Sequence, residues 1–220
     1  SSRFGKDNRY GAFPAASIGW IISEEEFLRN SSAINFLKLR ASYGKTGNAE
    51  IGNFSSRSLF EAAAYADISG LITSQLGIPA LSWEKTNQFD IGLDFGFANN
   101  RISGEIDYFD KETNDLLFDV PTPAVNGFST ITKNIGSMRN RGWEFVLNGT
   151  ILDGPFRWTA SANISTYVNK VTKLVVPVPP QSRTLGRLAE GQPFGQFYGL
   201  KYAGVDPANG DALYFKKDGT

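Results

Sequence analysis

Apolar and polar residues alternate without a break in the stretch Gln88-Phe89-Asp90-Ile91-Gly92-Leu93-Asp94-Phe95-Gly96-Phe97. Since successive side chains of a β-strand point to opposite faces, this period of two predicts a strand with one apolar and one polar face. The stretch is longer than the about five or six residues usual in soluble proteins and approaches the roughly nine to eleven that a membrane-crossing strand needs. The pattern therefore raises the question of whether the apolar face meets lipid or a protein core.

The same alternation recurs along the chain and predicts six strands in up-and-down order. The predicted strands cover residues 12–22, 35–43, 86–97, 101–110, 141–151 and 156–168. Large aromatic residues fall near the predicted strand ends, where aromatic girdles lie in membrane barrels. They are Trp20, Tyr43, Phe97, Tyr108 and Trp143.

The connections between these strands alternate in length. Asn99-Asn100 and Asp153-Gly154 are tight-hairpin signals, because Asn, Asp and Gly tolerate the positive φ of such turns. The other connections are long and rich in Gly, Pro, Ser, Thr and Asn, and they cover residues 44–85, 111–140 and 169–220. A soluble sandwich gives no reason for this alternation, whereas an outer-membrane barrel has short periplasmic turns and long extracellular loops.

One connection is of intermediate length and runs from Ser23 to Ile34. Its Ser23-Glu24-Glu25-Glu26 segment has the pattern of a capping box that opens one or two helical turns. We expect it at the periplasmic rim.

Composition excludes several classes of protein. The chain has 220 residues and balances 22 Lys plus Arg against 22 Asp plus Glu, so nucleic acid is not an expected partner. Cys and His are absent, which removes thiol nucleophiles, Cys/His metal sites and the Ser-His-Asp triad. No apolar run approaches the roughly eighteen residues of a membrane helix. We expect no cofactor and no enzymatic activity.

Longer motifs resemble those of the SusC/RagA family of TonB-linked outer-membrane receptors. The matching segments, in chain order, are residues 13–20 (FPAASIGW), 37–44 (LKLRASYG) with 46–48 (TGN), 81–86 (LSWEKT), 90–95 (DIGLDF), 134–144 (NIGSMRNRGWE), 190–195 (EGQPFG), 198–199 (YG), 204–207 (GVDP) and 210–211 (GD). They run in family order from about residue 3 to residue 217.

The resemblance implies an importer of glycans or peptides in the outer membrane of a Gram-negative bacterium of the Bacteroidota. Receptors of this family have a twenty-two-stranded barrel, an amino-terminal plug, a SusD-like surface lipoprotein as a lid, and the TonB complex as their energy source. No plug or TonB-contacting segment is recognisable, and six strands are fewer than the about eight of the smallest barrels. We therefore expect residues 1–220 to be one partial barrel domain, an all-β, antiparallel transmembrane segment from the later part of a longer receptor. Its amino terminus lacks a signal-peptide pattern, so a mature chain or a fragment is expected.

Two other functions remain open from the residues alone. A soluble β-sandwich that binds carbohydrate also has strands with one apolar face. A β-rich glycoside hydrolase needs two carboxyl groups about 5 to 10 Å apart in a cleft, and Asp107 and Glu144 both lie on predicted polar faces. Nothing in the sequence places these two side chains together.

Several short motifs have simpler explanations than a binding site, and we assign no catalytic, metal or substrate-binding residue. Gly44-Lys45-Thr46 lacks the upstream glycine of a phosphate-binding loop, and the segment from Asp206 to Asp211 lacks the spacing of a calcium loop. Three further sets have both a functional and a structural interpretation. The carboxylates Glu24, Glu25 and Glu26 are assigned to a solvated rim. Trp83 and Tyr65 either stack on sugars or pack within a loop. Arg139 and Arg141 either hold an anion or a lipid headgroup or simply begin a strand.

Overall fold

The protein is described here by a computed structural model, which covers residues 1, 3–65, 68–123, 125, 127, 130–175, 186–216 and 219. Within these residues the strands are β1 (Ala15–Ile21), β2 (Ile34–Asn48), β3 (Leu59–Tyr65), β4 (Ile68–Gln75), β5 (Glu84–Phe97), β6 (Ile102–Asn114), β7 (Leu117–Pro121), β8 (Thr130–Asn134), β9 (Gly136–Asp153), β10 (Arg157–Leu174), β11 (Gly186–Arg187), β12 (Gln196–Phe197), β13 (Tyr202–Val205) and β14 (Ala212–Tyr214). Two short 3-10 turns lie at Lys6–Asn8 and Ile22–Glu24. None of the helical segments described has the length and apolar character needed to span a bilayer.

Six strands form one antiparallel sheet in the order β1-β2-β5-β6-β9-β10. Strands that follow each other along the chain in this sheet are paired neighbours, so the predicted up-and-down order is confirmed. The register aligns one row of apolar residues across five strands, namely Leu39, Leu93, Ile106, Phe145 and Ile164.

The two tight connections form, but by different backbone geometry. Asn99 and Asn100 adopt φ of 57° and 59°, and the Asn35 side chain accepts a hydrogen bond from Asn99 N at 2.5 Å. Gly154 has no positive φ. Pro155 follows it, and the residue before a proline is restricted to extended conformations.

Strands β2, β9 and β10 continue beyond the ends that alternation predicts. Strand β2 runs to Asn48, β9 begins at Gly136, and β10 ends at Leu174. The alternation stops before the strands end. At the positions that would continue the apolar face, polar residues such as Lys45 and Arg139 replace apolar ones, while the backbone hydrogen-bond ladder continues. We call this end of the sheet the long-loop rim and the opposite end, at residues 22–33, 98–101 and 154–156, the short-turn rim.

The long connections contain small hairpins of their own. Strands β3 and β4 pair within residues 44–85, β7 and β8 pair within 111–140, and β11–β12 and β13–β14 pair in the last segment. These strands are short or lack strict alternation, so no alternating pattern predicts them.

The connection after β1 differs from the predicted capping box. Ser23 lies inside the 3-10 turn Ile22–Glu24, and its buried hydroxyl has no hydrogen-bond partner among the described residues. The segment is held instead by Trp20 Nε1, which donates to Glu25 Oε1 at 2.8 Å, and by Arg29, which donates to the Glu24 carbonyl. The capping interpretation of Ser23 was therefore wrong.

The buried apolar side chains lie at the long-loop rim, in the connecting segments and at the upper end of β10. Those with the least exposure are Phe4, Leu81, Ile135 and Val171. In contrast, large apolar side chains of the sheet are exposed, both on the edge strands, as at Ile18 (74%) and Ile164 (61%), and on the inner strands, as at Phe145 (38%). Among the described residues, the six-stranded sheet therefore has no protein layer over its apolar face.

Candidate functional site

The sheet presents two chemically distinct faces. The apolar face carries side chains that the register places on one side, namely Ala16, Ile18, Trp20, Leu37, Leu39, Ala41, Tyr43, Phe89, Ile91, Leu93, Phe95, Phe97, Ile102, Ile106, Tyr108, Trp143, Phe145, Leu147, Ala160, Ala162, Ile164 and Val168. The polar face carries the alternate residues and is rich in Ser, Asn, Asp, Glu and Gly. The distribution matches a wall between an apolar and an aqueous phase.

Aromatic side chains bound the apolar face at both ends. Towards the short-turn rim lie Trp20, Phe97 and Trp158. Towards the long-loop rim, Tyr43 and Phe89 are paired neighbours, and the Tyr108 and Trp143 rings lie 5.0 Å apart. Because the strands continue beyond this second level, Tyr43, Tyr108 and Trp143 mark the end of the apolar band and not the ends of their strands.

An ion-pair network crosses three strands on the polar face. Arg40 on β2 donates from Nε to both Asp94 oxygens, at 2.8 and 2.9 Å, and its Nη2 lies 3.1 Å from Asp107 Oδ1 on β6. The guanidinium lies over Gly92, where a Cβ atom would come 2.9 Å from Arg40 Cζ and still closer to Asp107 Oδ1. Glycine at position 92 thus makes the network possible.

Further polar contacts extend this network along the same face. Ser42 donates to Asp90 at 3.1 Å, and Gln88 Nε2 donates to both Asp90 oxygens at 2.9 Å. A shallow depression of about 260 Å³ lies beside them, against Gly19 and Lys38. The face is therefore an ordered, hydrogen-bonded surface suited to contact with water or a polar partner.

Sequence reasoning missed the Arg40 network, although alternation along the strands puts Arg40, Asp94 and Asp107 on polar faces. The available signal was the register: if Leu39 pairs with Leu93, then Arg40 faces Gly92 and lies diagonal to Asp94. The register also places Asp107 directly opposite Glu144, which the sequence alone did not do. In the structure the Asp107 carboxylate contacts Arg40, and the surface around it is an open sheet.

Arg139 and Arg141 lie within β9, at the apolar side of the sheet beyond Trp143. Arg139 donates through Nε to Asp110 Oδ1 at 2.8 Å and through Nη2 to Asp110 Oδ2. Arg141 is opposite Asp110 in the register. The two arginines are therefore strand residues above the apolar band, and not the first residues of the strand.

Trp83 is part of a packed loop cluster. Its ring centroid lies 5.2 Å from that of Phe4 and 5.3 Å from that of Phe13, and its Nε1 donates to the Asn8 carbonyl at 2.9 Å. Loop packing is thus confirmed for Trp83. The side chain of Tyr65 lies outside the described residues.

The remaining short motifs are structural in the described part of the chain. Gly44-Lys45-Thr46 lies inside β2. From Asp206 to Asp211 the chain turns between β13 and β14, with Gly210 at φ 81° and Ala208 N donating to Asp206 Oδ1 at 2.9 Å. In the part of the chain that the structure describes, no cluster of three potential metal-binding side chains is present.

Comparison with known proteins gives a consistent result. The family model for TonB dependent receptor-like β-barrels matches residues 1–219. TonB-dependent receptor P39 of Formosa agariphila is 43% identical over 208 residues, which is 93% of this chain and 20% of the relative. TonB-dependent receptor SusC of Bacteroides thetaiotaomicron is 42% identical over 186 residues, covering 79% of this chain and 18% of SusC.

Solved structures agree with these relatives. The RagAB peptide transporter contains a chain that superposes with a TM-score of 0.89 at 38% identity, covering 97% of this chain and 24% of that one. The 'open-open' state of the RagAB peptide importer gives a TM-score of 0.84 at 37% identity. The chain spans about a fifth of the length of the curated relatives and about a quarter of the solved chain.

Proposed function

Since this chain belongs to the TonB dependent receptor-like β-barrel family, we propose that it forms part of the wall and the surface loops of an outer-membrane nutrient importer. The wall separates lipid from an aqueous lumen, and the chain contributes shape and polarity to transport without carrying out a reaction. The host would be a Gram-negative bacterium of the Bacteroidota.

The observation that carries this proposal is the exposed apolar face of the six-stranded sheet. A band from Phe89 to Phe97 spans nine residues of β5, and a membrane strand needs roughly nine to eleven. Aromatic side chains bound the band on both sides, as expected at the two lipid headgroup levels. The alternate polar residues then face the lumen.

The lengths of the connections give the orientation. Short turns are typical of the periplasmic side and long loops of the extracellular side. We therefore place the short-turn rim in the periplasm, and the long-loop rim, with residues 44–85, 111–140 and 169–220, at the cell surface.

The free edges of the sheet indicate the nearest partners. Strands β1 and β10 are the outermost strands of the sheet, and six strands are fewer than a closed barrel needs. We propose that both edges pair with further strands of the same receptor, in a barrel of twenty-two strands. The polar face of the sheet, around Arg40, then contacts the plug of that barrel. A SusD-like lipoprotein above the loops and the TonB complex below the plug complete the assembly.

The transported compound is a glycan or a peptide. The similar RagAB structure is that of a peptide transporter, and the family resemblance of the sequence implies glycans or peptides. The residues that contact the nutrient would lie on the extracellular loops or on the polar face.

The soluble alternatives lack the contacts that they need. A β-sandwich requires a second sheet on the apolar face, but the other sheets among the described residues are two-stranded hairpins. A glycoside hydrolase requires carboxylates in a cleft, whereas Asp107 lies on an open surface in contact with Arg40.

Adjacent residues of β5 provide the test of membrane facing. The sequence has no cysteine, so Asp90→Cys and Ile91→Cys each place one spin label in this region of the full-length receptor, with any cysteine elsewhere replaced. In proteoliposomes we expect the label at position 91 to relax faster with lipid-soluble oxygen, and the label at position 90 to relax faster with a water-soluble nickel chelate. Electron paramagnetic resonance measures both effects.

Equal responses at the two positions would contradict the assigned faces. Trp83→Cys, in the packed loop cluster, is the control, and we expect its label to be shielded from both relaxation agents.

A further inference from the structure

We propose that a cavity on the lipid side of the sheet, at the long-loop rim, binds the phosphate group of an outer-leaflet glycolipid. This inference rests on the membrane placement proposed above. It concerns a surface that faces away from the lumen, and therefore a site that the transported nutrient does not occupy.

The cavity lies between β9, β10 and the segment that follows Ala189. Its volume is about 360 Å³, within the range of about 300 to 1,000 Å³ typical of small-ligand sites. Its polar lining consists of Arg139, Arg141, Lys170, Thr172 and Glu190. Three cationic side chains from two neighbouring strands thus converge on one space.

Two of these cations have no ion-pair partner in the described part of the chain. Arg139 donates to both Asp110 oxygens, whereas Arg141, which lies opposite Asp110 in the register, forms no hydrogen bond or ion pair with it in the described part of the chain. Glu190 accepts a hydrogen bond from Leu174 N at 3.3 Å and does not pair with Lys170. Arg141 and Lys170 therefore remain available for an anion, and arginine matches the oxygens of a phosphate well.

The depth of the cavity favours a lipid as the source of the phosphate. Arg141 lies two residues before Trp143 on β9, which places it roughly 7 Å closer to the long-loop rim. Trp143 lies at the edge of the apolar band, where aromatic residues meet headgroups. A phosphate attached to a lipid headgroup would consequently lie at the level of Arg141 and Lys170.

Thr172 supplies a second sign that the cavity accommodates a polar group. It lines the cavity, and its shielded hydroxyl has no hydrogen-bond partner among the described residues. Buried polar atoms are rarely left without a partner, so this hydroxyl is available to a polar group that enters the cavity. A phosphate oxygen in the cavity would accept this hydrogen bond after a small movement of the side chain.

The test uses delipidated full-length receptor in detergent. Its binding of monophosphoryl lipid A, of the same lipid without phosphate, and of inorganic phosphate is measured by native mass spectrometry and by titration. Because each cation near an anionic headgroup contributes a factor of about five in affinity, R141Q/K170Q should bind monophosphoryl lipid A about 30-fold more weakly than the parent receptor. We expect the lipid without phosphate to bind the parent receptor about as weakly as monophosphoryl lipid A binds R141Q/K170Q.

Matched variants separate this site from general surface charge. Lys45→Gln removes a cation from the same face and rim on β2, outside the cavity, and should leave binding unchanged. The R141K/K170R exchange keeps both charges and should retain most of the affinity. Equal lipid affinity in R141Q/K170Q and the parent, or equal binding of the two lipids, would overturn the proposal. Displacement of the lipid by inorganic phosphate at equal concentration would overturn the lipid assignment.

Failure of this site is distinguishable from failure of the proposed function. Nutrient import and the spin-label pattern of β5 depend on the wall and not on Arg141 or Lys170. If the receptor imports its nutrient and the labels show the two faces, while R141Q/K170Q binds lipid normally, only the phosphate site is wrong.

Discussion

Ile164→Arg should lower the free energy of unfolding of the intact receptor in lipid by about 2 to 4 kcal/mol. Ile164 is 61% exposed on the apolar face and lies opposite Phe145, in the row that also contains Leu93. In the proposed placement this row is near the middle of the hydrocarbon. An arginine there loses its hydration, and no carboxylate lies opposite it on β9 to compensate.

The neighbouring residue supplies the control for that experiment. Ser165 points to the polar face and lies opposite Glu144, so Ser165→Arg introduces the same charge on the same strand at nearly the same depth. We expect it to change the unfolding free energy by less than about 1 kcal/mol, because the new side chain remains in water near a carboxylate. Denaturant titrations in lipid vesicles compare the two variants. If both variants lost the same unfolding free energy, the two faces would be in contact with the same solvent and the proposed membrane placement would be wrong.

The faces of the sheet are predictable from the sequence because strand geometry maps residue parity directly onto side-chain direction. The run from Gln88 to Phe97 therefore identifies both faces of β5 without reference to strand pairing. The strand order was also predictable, since the tight turn at Asn99-Asn100 leaves only the antiparallel neighbour for β6.

The ends of the strands were not predictable for a physical reason. Beyond Tyr43 and before Arg141, the positions that continue the apolar face are polar, as at Lys45 and Arg139, so parity no longer produces an alternation of apolar and polar residues. The backbone ladder nevertheless continues, because its hydrogen bonds do not depend on side-chain polarity. Sequence patterns thus report the apolar band and not the full length of a strand.

The register was the other missing quantity. Irregularities between Ile34 and Phe36 and between Trp158 and Thr159 shift the pairing by one residue, and a bulge leaves no reliable mark in a single sequence. The Arg40 network depends on this register. Arg40, Asp94 and Asp107 are separated by up to 67 residues in sequence, so only the observed pairing brings them together.

That network leads to the second prediction, a coupling energy between Arg40 and Asp94. In a double-mutant cycle with Arg40→Gln and Asp94→Asn, we expect the pair to contribute about 1 kcal/mol to the unfolding free energy of the intact receptor. Arg40 contacts both Asp94 oxygens and also Asp107, and bidentate pairs within networks are the favourable cases. Water in the lumen limits the value, because the Arg40 side chain is 37% exposed.

The pair Lys85 and Asp115 provides the matched comparison, because it lies at the long-loop rim with a single contact of 3.7 Å and both side chains about half exposed. Its cycle, with Lys85→Gln and Asp115→Asn, should give a coupling of less than about 0.5 kcal/mol. Raising the salt concentration should reduce the coupling of this exposed pair more than that of Arg40 and Asp94, since exposed charges are screened more strongly. If both pairs gave the same small coupling, the Arg40 network would add no order to the polar face. The plug contact proposed for that face would then lose its support, because a preformed polar surface is what makes this part of the wall suited to a fixed partner.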